Sequence, residues 1–342
     1  MRYAIIPTNK GHIIMEQYKV VIDTLGSDKG PEAIILGAAL ALKQFPELFV
    51  TLVGPQALID EKILEHGIDV TRLKVIPAEE TIVNTDHAYE GIMAKTEASL
   101  TKAFKEVAKD EENYVGMMTA GNSGAILMGS FRYLRTNSFT RPCMAAIMPN
   151  AADGFTCLVD TGATIDCTVS QLHSFAKLGS ELMSKLYGIE SPRIGLLSNG
   201  AEPTKGNALG KETFPVLAAD STLNFVGNIE GNRSLSGDCD VLVCDGFAGN
   251  QVLKNTEGTA AKIIKDIVVL SKTRNEPKYM EVVDYLMKRY DLGALGGGLV
   301  LGVRKLVIKA RGNSDERAIV SIARMLINHA KGGAFYTKKD LK

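Results

Sequence analysis

The chain has 342 residues, 45% of them hydrophobic, with 39 Lys+Arg set against 39 Asp+Glu. Balanced charge excludes a whole-protein field that draws in nucleic acid or an acidic bilayer, so no nucleic-acid partner is expected and any basic site must be local. No apolar run reaches the ~18 residues that span a membrane, and the opening MRYAIIPTNKGHII lacks the continuous apolar segment of a signal peptide.

Residues 1–16 read as a weakly structured extension. The first strand is expected at Val20–Asp23, followed by a loop over Thr24–Gly30 and a helix opened by Pro31, whose fixed φ suits a first helical position. A strand over Phe49–Val53, a helix over Gln56–His66 and a strand over Leu73–Ile76 come next, then helical composition over Ala88–Asp110. Tyr114–Met118 is a strand that turns through Ala120–Gly124 into a helix over Ala125–Leu134. Beyond Thr136 the pattern is richer in strand: Met144–Met148 and Thr156–Asp160 pair across a turn at Asn150–Gly154. A long helix over Ser170–Tyr187 follows, then strands at Ile194–Ser198, Asn224–Asn228, Val241–Asp245 and Val303–Ala310, and a last helix over Asp315–Ala330. This alternation predicts a three-layer α/β/α fold on a mostly parallel sheet. Residues 17–342 read as one catalytic unit, with a soft division into 17–135 plus 303–342 and 136–302.

Six apolar runs end in a glycine-rich polar loop that opens a helix. Such turns expose backbone N–H groups where the helix dipole favours an anion. In TAGNSGA, Gly121 and Gly124 let the backbone approach a ligand and Asn122 and Ser123 add donors, although the same residues also make a plain capped turn. In VLVCDGFAGNQVLK, Asp245 ends the strand; Gly246, Gly249 and Asn250 belong to the turn, and the helix is expected from Gln251. Asp160 and Asp166 bracket the turn VDTGATIDC, as loop caps or as ligands. In SNGAEPTKGN, Lys205 and Asn207 flank Gly206, either as anion ligands or as solvated loop residues. Lys309 and Arg311 put two cations at the end of an apolar strand and beside a helix start, a local anion site in a net-neutral protein.

Other chemistries lack their residues. The five cysteines, Cys143, Cys157, Cys167, Cys239 and Cys244, follow no metal spacing and read as reduced, mostly buried thiols. No His-x-x-x-His pair, Gly-x-Ser-x-Gly elbow, Walker loop or G-x-G-x-x-G fingerprint is present. Neither metal nor cofactor is expected.

Taken in order, Asp23-x-x-Gly26-x-Asp28-x-Gly30-Pro31, Ala120-Gly121-Asn122-x-Gly124-Ala125, Arg141-Pro142, Asp160-x-Gly162-Ala163-x-x-Asp166-Cys167, Lys205-Gly206-Asn207, Gly227-Asn228-x-Glu230-Gly231, Cys244-Asp245-Gly246-Phe247-x-Gly249-Asn250 and Val307-Ile308-Lys309-Ala310 resemble the PlsX family, the phosphate acyltransferases of bacterial phospholipid synthesis. The resemblance implies a fold similar to phosphotransacetylase and the isocitrate-dehydrogenase-like superfamily. It implies transfer of an acyl group from acyl carrier protein to inorganic phosphate, in a cytoplasmic homodimer that supplies a membrane glycerol-3-phosphate acyltransferase. The chain departs from the family in having Arg311 and Asn313 where Ala-His-Gly-Ser-Ser is usual, so a permanent cation replaces an imidazole. That departure supports one alternative, a weakened homologue that binds acyl carrier protein or acyl phosphate and regulates; a short-chain phosphotransacetylase using coenzyme A is a separate one.

Lys309, Arg311 and Asp245 are the expected catalytic residues. The Asn122–Gly124 and Gly246–Asn250 loops are the expected N–H donors. Residues 259–290 carry two apolar helical stripes flanked by cations, expected as a dimer interface within 136–302, a peripheral membrane contact or a dock for the acidic carrier.

Overall fold

Apolar runs that alternate with capped, amphipathic stretches become strands and helices in the order β1 (Tyr18–Asp23), α1 (Pro31–Gln44), β2 (Leu48–Gly54), α2 (Gln56–His66), β3 (Leu73–Pro77), α3 (Ala88–Ala94), α4 (Ser99–Lys109), β4 (Tyr114–Thr119), α5 (Ser123–Leu134), β5 (Cys143–Pro149) and β6 (Phe155–Val159). The second half continues with α6 (Val169–Tyr187), β7 (Arg193–Ser198), α7 (Ala208–Ala219), β8 (Asn224–Glu230), β9 (Val241–Val243), α8 (Gly246–Arg274), α9 (Lys278–Tyr290), β10 (Gly298–Leu301), β11 (Leu306–Lys309) and α10 (Glu316–Ala330). The computed structural model describes residues 17–83, 85–110, 112–136, 141–290 and 297–332, so the expected extension over 1–16 lies outside them.

The strands form one sheet in the order β3-β2-β1-β4-β11-β10-β5-β6-β9-β7-β8. β3, β2, β1, β4 and β11 run parallel to one another, as do β6, β9, β7 and β8. Between these sets β10 is antiparallel to both β11 and β5, and β5 is antiparallel to β6, so the two parallel sets point in opposite directions. Register places Ile22, Met118, Ile308, Leu299, Ala145, Val159 and Val243 on one line across the sheet. Each parallel strand ends at that line or within a residue or two of it, so the carboxyl ends of both sets, and the loops that follow them, meet at the middle of the molecule.

Helices cover both faces, which is why alternate strand residues are buried on opposite sides. Val20 and Ile22 belong to the core on the face covered by α1, α6 and α10, while Val21 belongs to the core on the face covered by α4 and α5. Caps fix where the helices begin: Asn122 on α5, a Thr168–Gln171 capping box on α6, Asn207 on α7, Asp245 on α8 and Asp315 on α10.

Three expectations are corrected. The helical stretch over 88–110 is two helices, because Lys95 is drawn off to the Asp86 carboxylate (2.7 Å) and the Thr81 carbonyl (3.2 Å), and the Ser99 N–H bonds Glu80. The strand expected to reach Asp245 stops at Val243, and α8 starts at Gly246, not at Gln251. The strand expected over Val303–Ala310 narrows to Leu306–Lys309.

Asp23 ties two of the central loops together. Its buried carboxylate accepts the Thr119 hydroxyl at 2.7 Å and the Leu25 N–H at 3.2 Å, and Thr119 Oγ1 in turn accepts the Gly121 N–H. Burial pushes this carboxyl from 3.8 up to about 6, against those hydrogen bonds. Between these values the folded chain holds a proton that the unfolded chain releases. Stability is therefore expected to fall as pH rises through this window, by about 3 kcal/mol in all, and to be flat above it. Chemical denaturation of Asp23→Asn should lack that slope; a slope equal to the wild type would refute the assignment.

Candidate active site

Carboxyl-end loops from both strand sets build a central cleft of about 150 Å³. Its polar lining comes from Ser123 at the start of α5, from Asn250, Lys254 and Glu257 on α8, and from Lys309 and Arg311 after β11. The three α8 residues are spaced at i, i+4 and i+7, so they share one helix face. At this size the cleft suits a phosphate-like group rather than a drug-sized ligand, which needs roughly 300 Å³ or more.

Charge in the cleft is unevenly paired. Glu257, largely buried, accepts Lys254 Nζ at 3.0 Å and also Arg311 Nη2. The Lys309 ammonium makes one hydrogen bond among the described residues, to the Ala310 carbonyl at 3.4 Å, and no ion pair. Burial first, and the neighbouring Lys254 next, hold that ammonium below the usual lysine range, with Asp28 opposing. A half-buried ammonium with three donors and so weak a partner is a place for an anion.

Asn122, expected beside this site, caps α5 by accepting the Ala125 N–H at 2.9 Å, which leaves Ser123 to face the cleft. Gly121 lies against the first loop: a Cβ on Gly26 would come within 2.6 Å of the Gly121 Cα. Asp245 and Asn207 line a second cleft together with Gly206 and Ser198, on the opposite side of α8. Each of these two side chains caps its own helix, Asp245 by accepting Ala248 N–H at 2.7 Å and Asn207 by accepting Gly210 N–H at 2.8 Å. Lys205 and Asp166 are exposed and line neither cleft. The structure thus unites Ser123, Asn250, Lys309 and Arg311 and separates Asp245 from them.

Asp160 turns inward. Its carboxylate accepts four backbone N–H groups, from Met144 (3.1 Å), Gly162 (3.3 Å), Ala163 (3.0 Å) and Thr164 (2.6 Å). Burial raises its pKa and these donors oppose the rise. Gly246 and Gly249, expected as N–H donors to a ligand, instead allow α8 to press onto this loop. The Gly246 N–H bonds the Thr164 carbonyl at 2.8 Å, and a Cβ on Gly249 would lie 1.9 Å from the Asp160 carbonyl oxygen. Glu257 went unread in the sequence, although its spacing from Asn250 and Lys254 is a helical signal once α8 is known to begin at Gly246.

The family described as Fatty acid synthesis protein matches residues 18–331. A phosphate acyltransferase of Halothermothrix orenii is 36% identical over 327 residues, 91% of this chain and 95% of its own length. One from Streptococcus pneumoniae is 36% identical over 316 residues, 90% of this chain and 94% of its own. Among solved structures, a phosphotransacetylase from Streptococcus pyogenes superposes with a TM-score of 0.57 over 92% of this chain and 94% of its own, at 15% identity, which is a likeness of fold.

Proposed function

The chain belongs to the fatty acid synthesis protein family, and from that premise we propose that its central cleft moves an acyl group from acyl carrier protein to inorganic phosphate. It is a phosphate acyltransferase, like the relatives that cover nearly all of it. The observation that carries the site assignment is the half-buried Lys309 ammonium, poorly partnered among the described residues, beside Arg311, Lys254 and Ser123.

In this reading Lys309 and Arg311 hold the phosphate, with N–H groups of the Asn122–Gly124 loop as further donors. A phosphate oxygen attacks the thioester carbonyl carbon and a tetrahedral oxyanion forms. The oxyanion collapses, the C–S bond breaks, and the thiolate leaves on the carrier and takes a proton from solvent. Phosphate is already a nucleophilic anion near neutral pH and the leaving thiol has a pKa of ~8.5, so a strong general base or acid is dispensable. Positioning then supplies most of the rate, up to ~7–11 kcal/mol, and each oxyanion donor about 2.7–4 kcal/mol. This is why an arginine can stand where an imidazole is usual. Asp245 acts at one remove, by capping the helix that carries Asn250 and Lys254.

We expect release of free carrier thiol from long-chain acyl carrier protein to require added phosphate and to be matched by acyl phosphate formed. Thiol release at equal rate without phosphate would overturn the reading. Acetyl-coenzyme A turned over better than the long-chain carrier thioester would favour a short-chain phosphotransacetylase, and binding of the carrier without turnover would favour a regulator.

The homodimer is proposed on the long arm formed by α8 and α9. Ile264, Ile267 and Val268 of α8 are half-buried and Val283 of α9 is buried, yet Ile263, Val269, Met280, Val282 and Met287 stay exposed. A second copy would cover them, with sedimentation as the check: a monomer at micromolar concentration rules it out. No helix of the described residues is long and apolar enough to cross a membrane. Delivery of acyl phosphate to a membrane glycerol-3-phosphate acyltransferase from the cytoplasmic side would then be peripheral.

A further inference from the structure

A third cleft, of about 700 Å³, opens directly beside the central one. The first turn of α5 and the loop after β6 join them. Ser123 lines the central cleft and Gly124 the third; Thr161 lines the central cleft and Ala163 the third. One wall is the α5 face made by Gly124, Leu127, Met128 and Phe131, a run spaced at i, i+3, i+4 and i+7. Tyr89 of α3 flanks this wall and is well exposed, and the opposite wall is the start of α6 at Thr168 and Gln171. Among the described residues no carboxylate lines the cleft and Arg141 is its one charged side chain, whereas the second cleft, beyond α8, carries Asp245. From Ser123 to Phe131 the wall runs about 12 Å along the helix. At its far end Arg135 sits over the Phe131 ring, 5.4 Å from the centroid.

Resting on the acyl-transfer reading, we propose that this cleft holds the hydrocarbon chain of the acyl group, with the reacting carbonyl at Ser123 and chain length gauged at Phe131. The anion must sit by Lys309, so the carbonyl carbon lies at the junction of the two clefts. A long apolar substituent on that carbon needs an apolar wall that starts there, and the α5 face of Leu127, Met128 and Phe131 supplies one, with the charged Arg141 set off that face on the segment after α5. Each methylene that enters such a wall from water is worth about fourfold in binding.

The test compares hexanoyl, decanoyl and palmitoyl carrier thioesters in wild type, Leu127→Trp and Phe131→Ala. Leu127→Trp blocks the channel early, and the ratio of palmitoyl to hexanoyl kcat/KM should fall at least tenfold. Phe131→Ala opens the far end, and the optimum should move to longer chains. Circular dichroism reports whether each variant is folded, and displacement of the fluorescent fatty acid cis-parinarate reports chain binding without turnover. Opposite shifts in the two variants support the assignment. An unchanged length profile, or equal loss at every length as a carrier arm in this cleft would give, overturns it while the wild-type phosphate dependence still stands. Should the wild type show no phosphate-dependent turnover, the acyl-transfer reading fails, and parinarate displacement alone decides for or against the channel.

Discussion

Lys309→Ala is expected to lower phosphate-dependent thiol release by about 10²–10³-fold while the protein stays folded. The magnitude is that of removing one preorganised charge from where negative charge must be held. The fold should survive because the ammonium has almost no partner to lose among the described residues: its one hydrogen bond to them is 3.4 Å long, and burial already disfavours its charge. Thermal stability should hold or rise, since a desolvated cation is removed. Lys309→Arg restores a permanent charge and should recover part of the rate. In the wild type a Lys309 held below the usual ~10.4 should make activity decline on the alkaline side earlier than an ordinary lysine would, and the arginine variant should lack that decline. Turnover within twofold of wild type in the alanine variant would remove Lys309 from the site.

Gly249→Ala should be the most damaging single-methyl addition near the cleft. The added Cβ would fall 1.9 Å from the Asp160 carbonyl oxygen and 2.7 Å from the Cys244 sulfur, and the first of these is backbone, which cannot rotate away. Overpacking of this kind costs about 3 kcal/mol or more. To relieve it, α8 must lift from the loop that Asp160 holds with four N–H bonds, and Asn250, Lys254 and Glu257 move with the helix. A displacement near 1 Å at such a site costs about 10²-fold in rate. Thermal melting should show a drop of several degrees alongside the loss of turnover. An alanine variant that melts with the wild type would mean that α8 does not bear on the Asp160 loop as described.

Strand positions were the most legible part of the sequence, because each is a short apolar run closed by polar or glycine residues. The end of β1 at Asp23 is readable in this way, whereas β9 and β11 stop short of the expected Asp245 and Ala310. Helix starts were less legible where glycine has two meanings. Gly246 and Gly249 read as a flexible turn, yet they are helical residues made small by the loop pressed against them. The helix α7 escaped detection because Pro215 lies inside it, and β10 because a glycine run precedes Gly298. Which carboxylates face the cleft was beyond the sequence altogether. Asp160, Asp166 and Asp245 have similar loop settings, and three-dimensional packing alone turns the first inward, leaves the second in solvent and places the third on the far side of α8.

The order in which the strands leave the ribosome differs from their order in space. Among the described residues β10 and β11 are the last two strands to be synthesised, and they occupy the middle of the sheet, between β4 and β5. Until Lys309 has emerged, the nascent chain has two separate half-sheets with bare inner edges, the kind of surface that invites mispairing with other chains. The lysine proposed to hold phosphate lies on the strand that closes the seam between the halves, so in that reading the site is completed only when the two half-sheets join.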